Sequence, residues 1–326
     1  MSAKLNSAPY FARYRSTGAV ITLEELLMQR HAAKNLDYLA HSRSIAGISG
    51  LHLSKMRGRG LDFEEFRPYQ AGDDIRLIDW RVTARTNKPF TKVFREERER
   101  PVIIAVDQTH NMFFGSQVAF KSVLAAQAAA LLCWLAIDNG DRVGGLVFSD
   151  WDSSLIRPKR SRRSALHLLN QICKYNQELQ HVKDPETHRE PEEGFKPGLA
   201  HALGQIRRIT KPGSTLYVIS DFITLDAKAL QYLNQLSQHN NVVCCMVYDS
   251  LEESLPVPGI YSITDGANKG ALNTHSNKAR NRYKEQFQRR MQGIESELEK
   301  LRIQLIKMRT NQLVVEQIQQ WIAQSS

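Results

Sequence analysis

The amino-acid sequence predicts an α/β protein whose core is a doubly wound, mostly parallel β-sheet. From residue 101 onward, short apolar runs rich in β-branched residues alternate with stretches whose apolar residues recur at helical spacing. Three of the apolar runs end in aspartate, at Asp107, Asp221 and Asp249, and a fourth is followed within two residues by Asp150. Because sheets of this class bind ligands at the carboxyl ends of their strands, we expect the functional site at that edge.

The strands and helices of the predicted sheet domain follow one another in a regular order. The run at 101–107 predicts a buried strand, and the Ala-rich stretch after it predicts a helix over about 117–138. Residues 181–198 are polar, contain Pro and Gly, and predict a long loop. The remaining predicted elements are strands at 142–150, 214–221 and 241–249 and helices at 161–176, 199–209 and 226–238.

The pattern changes after residue 250. Residues 261–266 are a strand candidate, and 302–308 and 314–322 predict a last strand and a closing helix. Between them, five apolar residues are spaced four, three, four and three apart, which indicates a helix that packs back on the sheet rather than a coiled coil. These residues are Phe287, Met291, Ile294, Leu298 and Leu301.

The first hundred residues differ from the sheet domain. A helix is predicted at the start, with Thr22 and Glu25 forming a capping box. Residues 47–100 are rich in Gly, Arg and aromatic residues with weak alternation, which predicts a small β-containing module. We therefore divide the chain into an N-terminal helix and module at 1–100, a sheet domain at 101–265, and C-terminal elements at 266–326 that complete the α/β domain.

Composition argues against a secreted or membrane-inserted protein. Hydrophobic residues make up 42% of the chain. The longest apolar run is the 15 residues from Val123 to Ile137, fewer than the roughly 18 expected of a membrane span. The N-terminus lacks the apolar core of a signal peptide, and the four cysteines form no C-x-x-C pair. We therefore expect a cytoplasmic protein with reduced thiols and no membrane insertion.

The net charge of +10 is concentrated in two places. One is the C-terminal stretch 278–309, with ten cations and four glutamates. Neither place has the interleaved aromatic residues of a single-strand binding surface, so nucleic-acid binding is not favoured, although a basic nucleic-acid-associated protein remains an alternative. We expect solvated basic faces or a contact for an acidic protein partner. The second concentration of positive charge, at residues 157–163, supplies the candidate partner-binding residues. They are Arg157, Lys159, Arg160, Arg162 and Arg163.

The most distinctive stretch of the chain, 58–101, places arginine and aspartate around Trp80. Paired Arg and Asp side chains near a Trp indicate charge-assisted hydrogen bonds that are partly shielded from water. We interpret them as a structural ion network that fixes the module onto the sheet domain. The residues of this signature are Gly72, Asp73, Asp74, Arg76, Asp79, Trp80, Arg81 and Arg85.

The segment FRPYQAGDDIRLIDWRVTARTNKPFTKVFREERE, followed by PVIIAVD, resembles the signature of the domain-of-unknown-function 58 family. The resemblance continues through NGDRVGGLVFSD, YVISDF and the C-terminal RYKEQFQRR, and it covers about residues 20 to 322. It implies a von Willebrand factor A-like domain and an accessory role beside a MoxR-type AAA+ ATPase. Such a protein assists maturation, metal insertion or remodelling of client complexes. Some members carry N-terminal membrane helices, and this chain looks like the form without them.

The resemblance also implies a possible site for a divalent cation. Von Willebrand A domains hold one through a D-x-S-x-S loop, a distant Thr and a further Asp, and hydroxyl and carboxylate oxygens suit Mg²⁺. The distant Thr is missing here, because the chain reads Phe-Lys-Pro-Gly at 195–198 and places Lys196 near the vacancy. We therefore expect a degenerate adhesion-type site with weak or absent Mg²⁺. Its residues are Asp107, Thr109, Asn111 and Asp221.

The alternative for this edge is an enzyme. An Asp with Thr two residues later, at the end of an apolar strand, also resembles the nucleophile loop of haloacid dehalogenase-type phosphatases, which need Mg²⁺. Thr109 cannot protonate a leaving group, and the lysine that this chemistry requires has no obvious place. Nucleophile-elbow, P-loop and H-E-x-x-H motifs are absent from the sequence. We therefore expect a non-enzymatic adaptor that binds its partner through the Asp107 loop, with or without Mg²⁺, and through the basic segment.

Overall fold

The computed structural model describes residues 12, 14–41, 61–70, 75–86, 88–96, 101–180, 198–264 and 269–324. The chain forms two compact units. The larger comprises residues 1–50 and 100–326, and the smaller comprises 51–99. The predicted loop at 181–198 lies almost entirely outside the described residues.

The described strands and helices follow the predicted alternation. The strands are β1 (Leu61–Pro68), β2 (Phe90–Glu96), β3 (Pro101–Asp107), β4 (Arg142–Phe148), β5 (Ser153–Lys159), β6 (Thr215–Ser220), β7 (Asn241–Tyr248), β8 (Ile260–Thr264), β9 (Lys269–Asn273) and β10 (Gln304–Arg309). The helices are α1 (Leu23–His41), α2 (Trp80–Thr86), α3 (Lys121–Asp138), α4 (Arg162–Glu178), α5 (Leu199–Ile209), α6 (Ala227–Ser237), α7 (Ser250–Glu253), α8 (Asn277–Lys300) and α9 (Val314–Gln324).

The central sheet has six strands in the order β10-β7-β6-β3-β4-β5. All neighbouring pairs are parallel except β4 and β5, which are antiparallel. Starting from β3, the chain adds β4 and β5 on one side and then β6, β7 and β10 on the other. The strand order therefore reverses between β3 and β6, where doubly wound sheets open a crevice at their carboxyl ends. The predicted fold class is confirmed.

Helices cover both faces of the sheet. Buried residues of α1, α3, α4 and α9 form one core with one face, and those of α5, α6 and α8 form the other. Met291, Ile294 and Leu298 of α8 are among them, so the predicted stripe does pack back on the sheet. Among the described helices, α3 alone is long and apolar enough to cross a membrane, and 83% of that window is buried inside the protein. Within this fold it is the central core helix.

Helix α1 belongs to the larger unit, whereas the division made from the sequence grouped it with the N-terminal module. Its predicted capping box is present, since the backbone N–H of Thr22 donates to Glu25 (2.8 Å) and that of Glu25 donates to Thr22 Oγ1 (3.3 Å). The side chain of Leu26 is fully buried in the core. Its carbonyl accepts a hydrogen bond from Trp134 Nε1 on α3 (3.1 Å). These contacts attach α1 to the face of the sheet that α3 covers.

Strand β5 was not predicted, so the basic residues at 157–159 lie in a strand, whereas the helix predicted from residue 161 is confirmed. Arg157 and Lys159 lie in β5, and Arg162 and Arg163 begin α4. The antiparallel register shifts between Val143 and Gly145, where β5 carries Pro158. The hairpin β8–β9 was predicted only in its first strand, and α3 begins four residues later than expected.

The four cysteines are free and buried, and they lie in three elements of the larger unit. Burial raises the pKa of Cys133 in α3 and of Cys245 in β7 to about 12, and raises that of Cys244 well above its ordinary value. Burial, followed by the charge of Glu25, also raises the pKa of Cys173 in α4. All four thiols are therefore poor nucleophiles in the folded protein.

The smaller unit is built on the antiparallel pair β1–β2 with the short helix α2. Asp79 Oδ1 accepts hydrogen bonds from the backbone N–H groups of Arg81 (2.9 Å) and Val82 (3.1 Å), so Asp79 caps α2. Trp80 is 68% exposed, and Arg76, Arg81 and Arg85 are exposed as well. Among the described residues of the signature, Trp80 and these arginines therefore lie at the surface, whereas Asp79 is half-buried. Gly72, Asp73 and Asp74 of the signature lie outside the described residues.

Candidate functional site

Asp107 and Asp221 lie side by side at the carboxyl edge of the sheet. Asp107 is the last residue of β3, Asp221 directly follows β6, and the two strands are parallel neighbours. Both side chains are buried, with 1% and 2% exposure. Burial, and then the nearby charge of Asp221, raise the pKa of Asp107 to about 7. The sequence placed both carboxylates at this edge, and the structure brings them together at the point where the strand order reverses.

The carboxylate of Asp107 is fully engaged by groups of the protein. Oδ1 accepts hydrogen bonds from the backbone N–H (2.9 Å) and hydroxyl (2.7 Å) of Thr109. Oδ2 accepts one from the hydroxyl of Ser220 (2.5 Å), the last residue of β6. These hydrogen bonds favour the charged form and counteract part of the effect of burial on the pKa. Both oxygens of Asp107 therefore have partners without any added ligand.

Asp221 is paired with a buried lysine that the sequence analysis did not identify. Lys121 Nζ lies 2.8 Å from Asp221 Oδ2 and 2.9 Å from Glu252 Oε1, and the lysine side chain is only 1% exposed. Asp221 Oδ1 accepts the backbone N–H of Ile223 (3.0 Å). The ammonium group thus lies between two carboxylates. Its positive charge compensates theirs, which a buried ionised carboxylate needs.

The electrostatics of Lys121 follow from its position. Burial by itself lowers the pKa of the ammonium group, but the charges of Asp221 and Glu252 outweigh it, so that the pKa is raised. Lys121 is also the first residue of α3, where the partial positive charge of a helix N-terminus disfavours a cation. The two carboxylates must therefore offset both burial and the helix dipole. The two carboxylates therefore favour the charged form of Lys121 and fix its position.

The network extends from Glu252 to a third buried aspartate. Asp249 caps α7, and the second oxygen of Glu252 accepts its backbone N–H (2.9 Å). The Asp249 carboxylate also accepts the hydroxyls of Ser116 (2.5 Å) and Thr310 (2.6 Å). Although burial raises the pKa of Asp249, these hydrogen bonds outweigh it and lower the pKa. We call Asp107, Thr109, Lys121, Ser220, Asp221, Asp249 and Glu252 the edge cluster.

The turn after β6 is strained. Phe222 has a φ of +54°, a conformation that a bulky residue rarely adopts, yet its side chain is only 2% exposed. Its backbone N–H donates to Ser220 Oγ (3.1 Å). Phe222 directly follows Ser220 and Asp221, so backbone strain is localised next to the residues that this turn supplies to the edge cluster.

Asn111 is the remaining residue of the predicted metal site, and Asp150 and residues 195–198 are the other positions that the sequence analysis placed near this edge. Asn111 is exposed on the short 3₁₀ helix His110–Met112. Asp150, after β4, accepts the backbone N–H of His110 (2.5 Å), and burial raises the pKa of its carboxyl group. At the position of the missing Thr, Gly198 precedes α5, and the N–H of Leu199 donates to Thr224 Oγ1 (3.3 Å).

The edge cluster does not fit a resident Mg²⁺. The oxygens of Asp107 accept protein donors, and Asp221 is divided between Lys121 and a backbone N–H. A divalent cation beside Asp221 would also meet the ammonium charge of Lys121 at close range. Across the described part of the chain, no group of three or more His, Cys, Asp or Glu side chains is arranged to hold a metal ion.

The basic residues lie away from the edge cluster, on the surface around β5. Arg157, Lys159, Arg162 and Arg163 are exposed. Ser161 caps α4 by accepting the N–H of Arg163 (3.1 Å), and the first turn of this helix contains no acidic residue. Two arginines at a helix N-terminus oppose the helix dipole. The sequence thus places cations where helix stability does not favour them.

The mostly parallel sheet with helices on both faces and aspartates at the carboxyl ends of three strands has the doubly wound α/β architecture that the family resemblance implied. A family model described as "Protein of unknown function DUF58" matches residues 65–293. This chain belongs to the DUF58 family, and that resemblance is confirmed.

Similar proteins include the uncharacterised proteins Mb1516 of Mycobacterium bovis and Rv1480 of Mycobacterium tuberculosis. Each is 27% identical over 234 residues, which span 72% of this chain and 69% of the relative. Among solved structures, BatB from Bacteroides thetaiotaomicron is 15% identical, with a TM-score of 0.38, over 69% of this chain and 98% of its own. A von Willebrand factor type A protein from Catenulispora acidiphila is 13% identical, with a TM-score of 0.31, over 49% of this chain and 35% of its own.

Proposed function

We propose that this protein is a non-enzymatic adaptor that recognises an acidic protein partner through its basic surface. The observation that carries this proposal is the closed state of the edge cluster. Asp107, the nucleophile candidate that the sequence suggested, and the neighbouring Asp221 are buried and bonded to the protein's own donors. The cations around β5 are exposed by contrast.

The closed edge cluster argues against phosphatase chemistry. A nucleophilic carboxylate must be ionised and must reach its substrate. Asp107 is 1% exposed, so it cannot reach a substrate, and burial followed by the charge of Asp221 raises its pKa to about 7, so it is only partly ionised at neutral pH. Incubation with a generic phosphomonoester and Mg²⁺ should give no turnover. Turnover that Asp107→Asn abolishes would overturn the adaptor proposal.

We propose further that Lys121 serves as the cation of this edge, so that Mg²⁺ is weakly bound or absent. A ligand that binds only the folded state raises its stability in proportion to the logarithm of ligand concentration. Millimolar Mg²⁺ should therefore leave the thermal midpoint unchanged. A rise that grows with Mg²⁺ and disappears in Asp221→Asn would show that a metal displaces the ammonium group.

The proposed partner is a MoxR-type AAA+ ATPase, with the adaptor acting in maturation or remodelling of client complexes in the cytoplasm. This identity comes from the family resemblance, while the contact surface comes from the positions of Arg157, Lys159, Arg160, Arg162 and Arg163 around β5. Cations of this density favour an acidic face, and electrostatic complementarity chiefly increases the association rate and the specificity.

The test is capture of the ATPase by the purified full-length chain. Wild type should retain the ATPase at physiological salt, and Arg160→Glu/Arg162→Glu/Arg163→Glu should lose most of this capture. The matched control is Lys278→Glu/Arg282→Glu/Lys284→Glu, because these three cations are exposed on α8. If both triple variants lose ATPase capture equally, the effect comes from net charge, and the proposal of a specific contact surface around β5 is contradicted.

A nucleic-acid role for the basic helix α8 is separated from this proposal by salt titration. Phosphate binding weakens steeply with salt, because counterions are released on association. The adaptor proposal expects no binding to duplex DNA at physiological salt. Binding that the α8 triple variant abolishes would favour the nucleic-acid alternative.

A further inference from the structure

An open groove of about 1150 Å³ lies beside β5. Its walls come from the start of α1, from β5 and from the first half of α4, all within the larger unit. Three leucines that line it are unusually exposed for large apolar side chains: Leu27 and Leu155 at 37% and Leu166 at 42%. Scattered exposed leucines need no explanation, but three that converge on one groove indicate an interaction surface.

The rim of this groove is cationic. Arg157, Lys159, Arg163 and His167 line it, and its lining residues include no Asp or Glu. Arg157, Lys159 and Arg163 are exposed, and within the described part of the chain none of the three forms an ion pair. An apolar floor with an uncompensated positive rim is complementary to a segment that has an apolar face and acidic flanks.

The edge of β5 is poorly suited to strand addition. Pro158 has no backbone N–H, and the ladder with β4 is irregular between Val143 and Gly145. Gly144 allows this close approach, since a Cβ there would lie 2.4 Å from the carbonyl oxygen of Ile156. Proline, charge and a bulge are the features by which natural edge strands avoid pairing with another chain. The occupant therefore satisfies its own backbone hydrogen bonds, as a helix does.

We propose that this groove binds an amphipathic helix with acidic flanks, supplied by the protein partner. The apolar face of that helix packs on Leu27, Leu155 and Leu166, and its carboxylates pair with Arg157 and Arg163. Helix-in-groove recognition uses apolar anchors spaced by three or four residues. This inference deepens the proposed function and rests on it, because it specifies how the basic surface engages the partner.

The experiment uses a fluorescent 18-residue helical peptide with Leu along one face and Glu on both flanks. Wild-type protein should bind it, and a peptide with Lys in place of Glu should not bind. Leu155→Ser/Leu166→Ser should weaken binding by about tenfold or more, as expected of central apolar anchors. Val257→Ser is the matched control, because Val257 is 75% exposed and lies outside the groove.

Each outcome separates the groove from the identity of the partner. Equal binding of the acidic and basic peptides, or no effect of the double leucine variant, overturns the groove proposal. If wild type captures the ATPase and the leucine variant captures it equally, the groove proposal fails while the proposed function stands. If the acidic peptide binds in the groove but no ATPase is captured, the groove is supported and the proposed partner is wrong. Arg157→Glu is a second variant. It should bind the acidic peptide more weakly than wild type while its thermal midpoint stays unchanged.

Discussion

At the carboxyl edge of the sheet, the ammonium group of Lys121 is 1% exposed and lies within 3 Å of two carboxylates. Around β5, Arg157 and Arg163 are exposed and have no carboxylate beside them in the groove that they line. The first region contains the residue types that catalytic and metal sites use, but they are bonded to one another. In the second region, Arg157 and Arg163 form no ion pair with the described residues, and the proposed function rests on them. The comparison teaches that reactive residue types need not mark an accessible surface.

The largest expected effect tests whether the edge cluster is a closed structural unit. Lys121→Met removes the ammonium group and leaves the buried carboxylate of Asp221 and the partly buried carboxylate of Glu252 without their cation. The free energy of unfolding should fall by about 3–5 kcal/mol, measured by urea denaturation. Lys278→Met on exposed α8 should change it by less than about 0.5 kcal/mol. A similarly small effect at Lys121 would contradict the closed cluster.

The pH dependence of stability tests the environment of Asp107. Because its pKa is raised to about 7 in the folded state, the folded protein retains a proton that the unfolded chain loses near pH 4. This contribution to stability is complete below about pH 4 and is lost as the pH rises through 7. Asp107→Asn cannot ionise, so relative to wild type it should gain roughly 2–3 kcal/mol between about pH 5 and pH 8.

Asp249 supplies the matched control for that measurement. Its pKa is lowered, so its contribution is present above the unfolded pKa and is lost only as the pH falls below about 4. Asp249→Asn should therefore show no change relative to wild type between pH 5 and pH 8. Identical pH profiles for the two variants would contradict the assignment of Asp107.

A smaller effect is expected just outside the edge cluster, at Thr310, which directly follows β10. Thr310→Val keeps the side-chain shape but removes the hydroxyl that donates to Asp249 (2.6 Å). The loss of one hydrogen bond to a buried carboxylate should lower the unfolding free energy by about 1–3 kcal/mol. The exposed Thr17→Val should be neutral in the same denaturation experiment. A neutral Thr310→Val would mean that the network ends before β10.

The smallest expected effect has the opposite sign. Arg162→Glu/Arg163→Glu replaces cations in the first turn of α4 by anions, which the helix dipole favours by about 0.3–1 kcal/mol for each residue. The thermal midpoint should rise slightly while capture of the acidic partner falls. A fall in both quantities would show that these arginines stabilise the fold rather than bind a partner.

The sheet and its acidic edge could be predicted because they depend on local patterns. Apolar, β-branched runs specify buried parallel strands, and the residue at the end of each run must lie at the carboxyl edge. Strand β5 escaped prediction because its residues do not alternate regularly between apolar and polar and because Pro158 interrupts it. Its pairing with β4 depends on Gly144, whose role is visible only in three dimensions.

The residues that close the edge cluster could not be inferred in the same way. Lys121 precedes an Ala-rich apolar run, and one lysine at a helix start is usually exposed to solvent. Its partner Glu252 lies 131 residues away in the sequence, and only the fold brings the two together. One feature of the sequence could have indicated it: α3 is apolar on all sides, so it is buried on all sides, and a lysine at its first position is then buried as well.

The buried thiols make the opening of this core measurable without a mutation. Cys133, Cys173 and the pair Cys244–Cys245 belong to a central helix, an outer helix and an inner strand, and each is protected by burial. An alkylating reagent can modify each of them only when its own element detaches. The relative labelling rates, read by mass spectrometry, therefore report the order in which the layers of the domain separate.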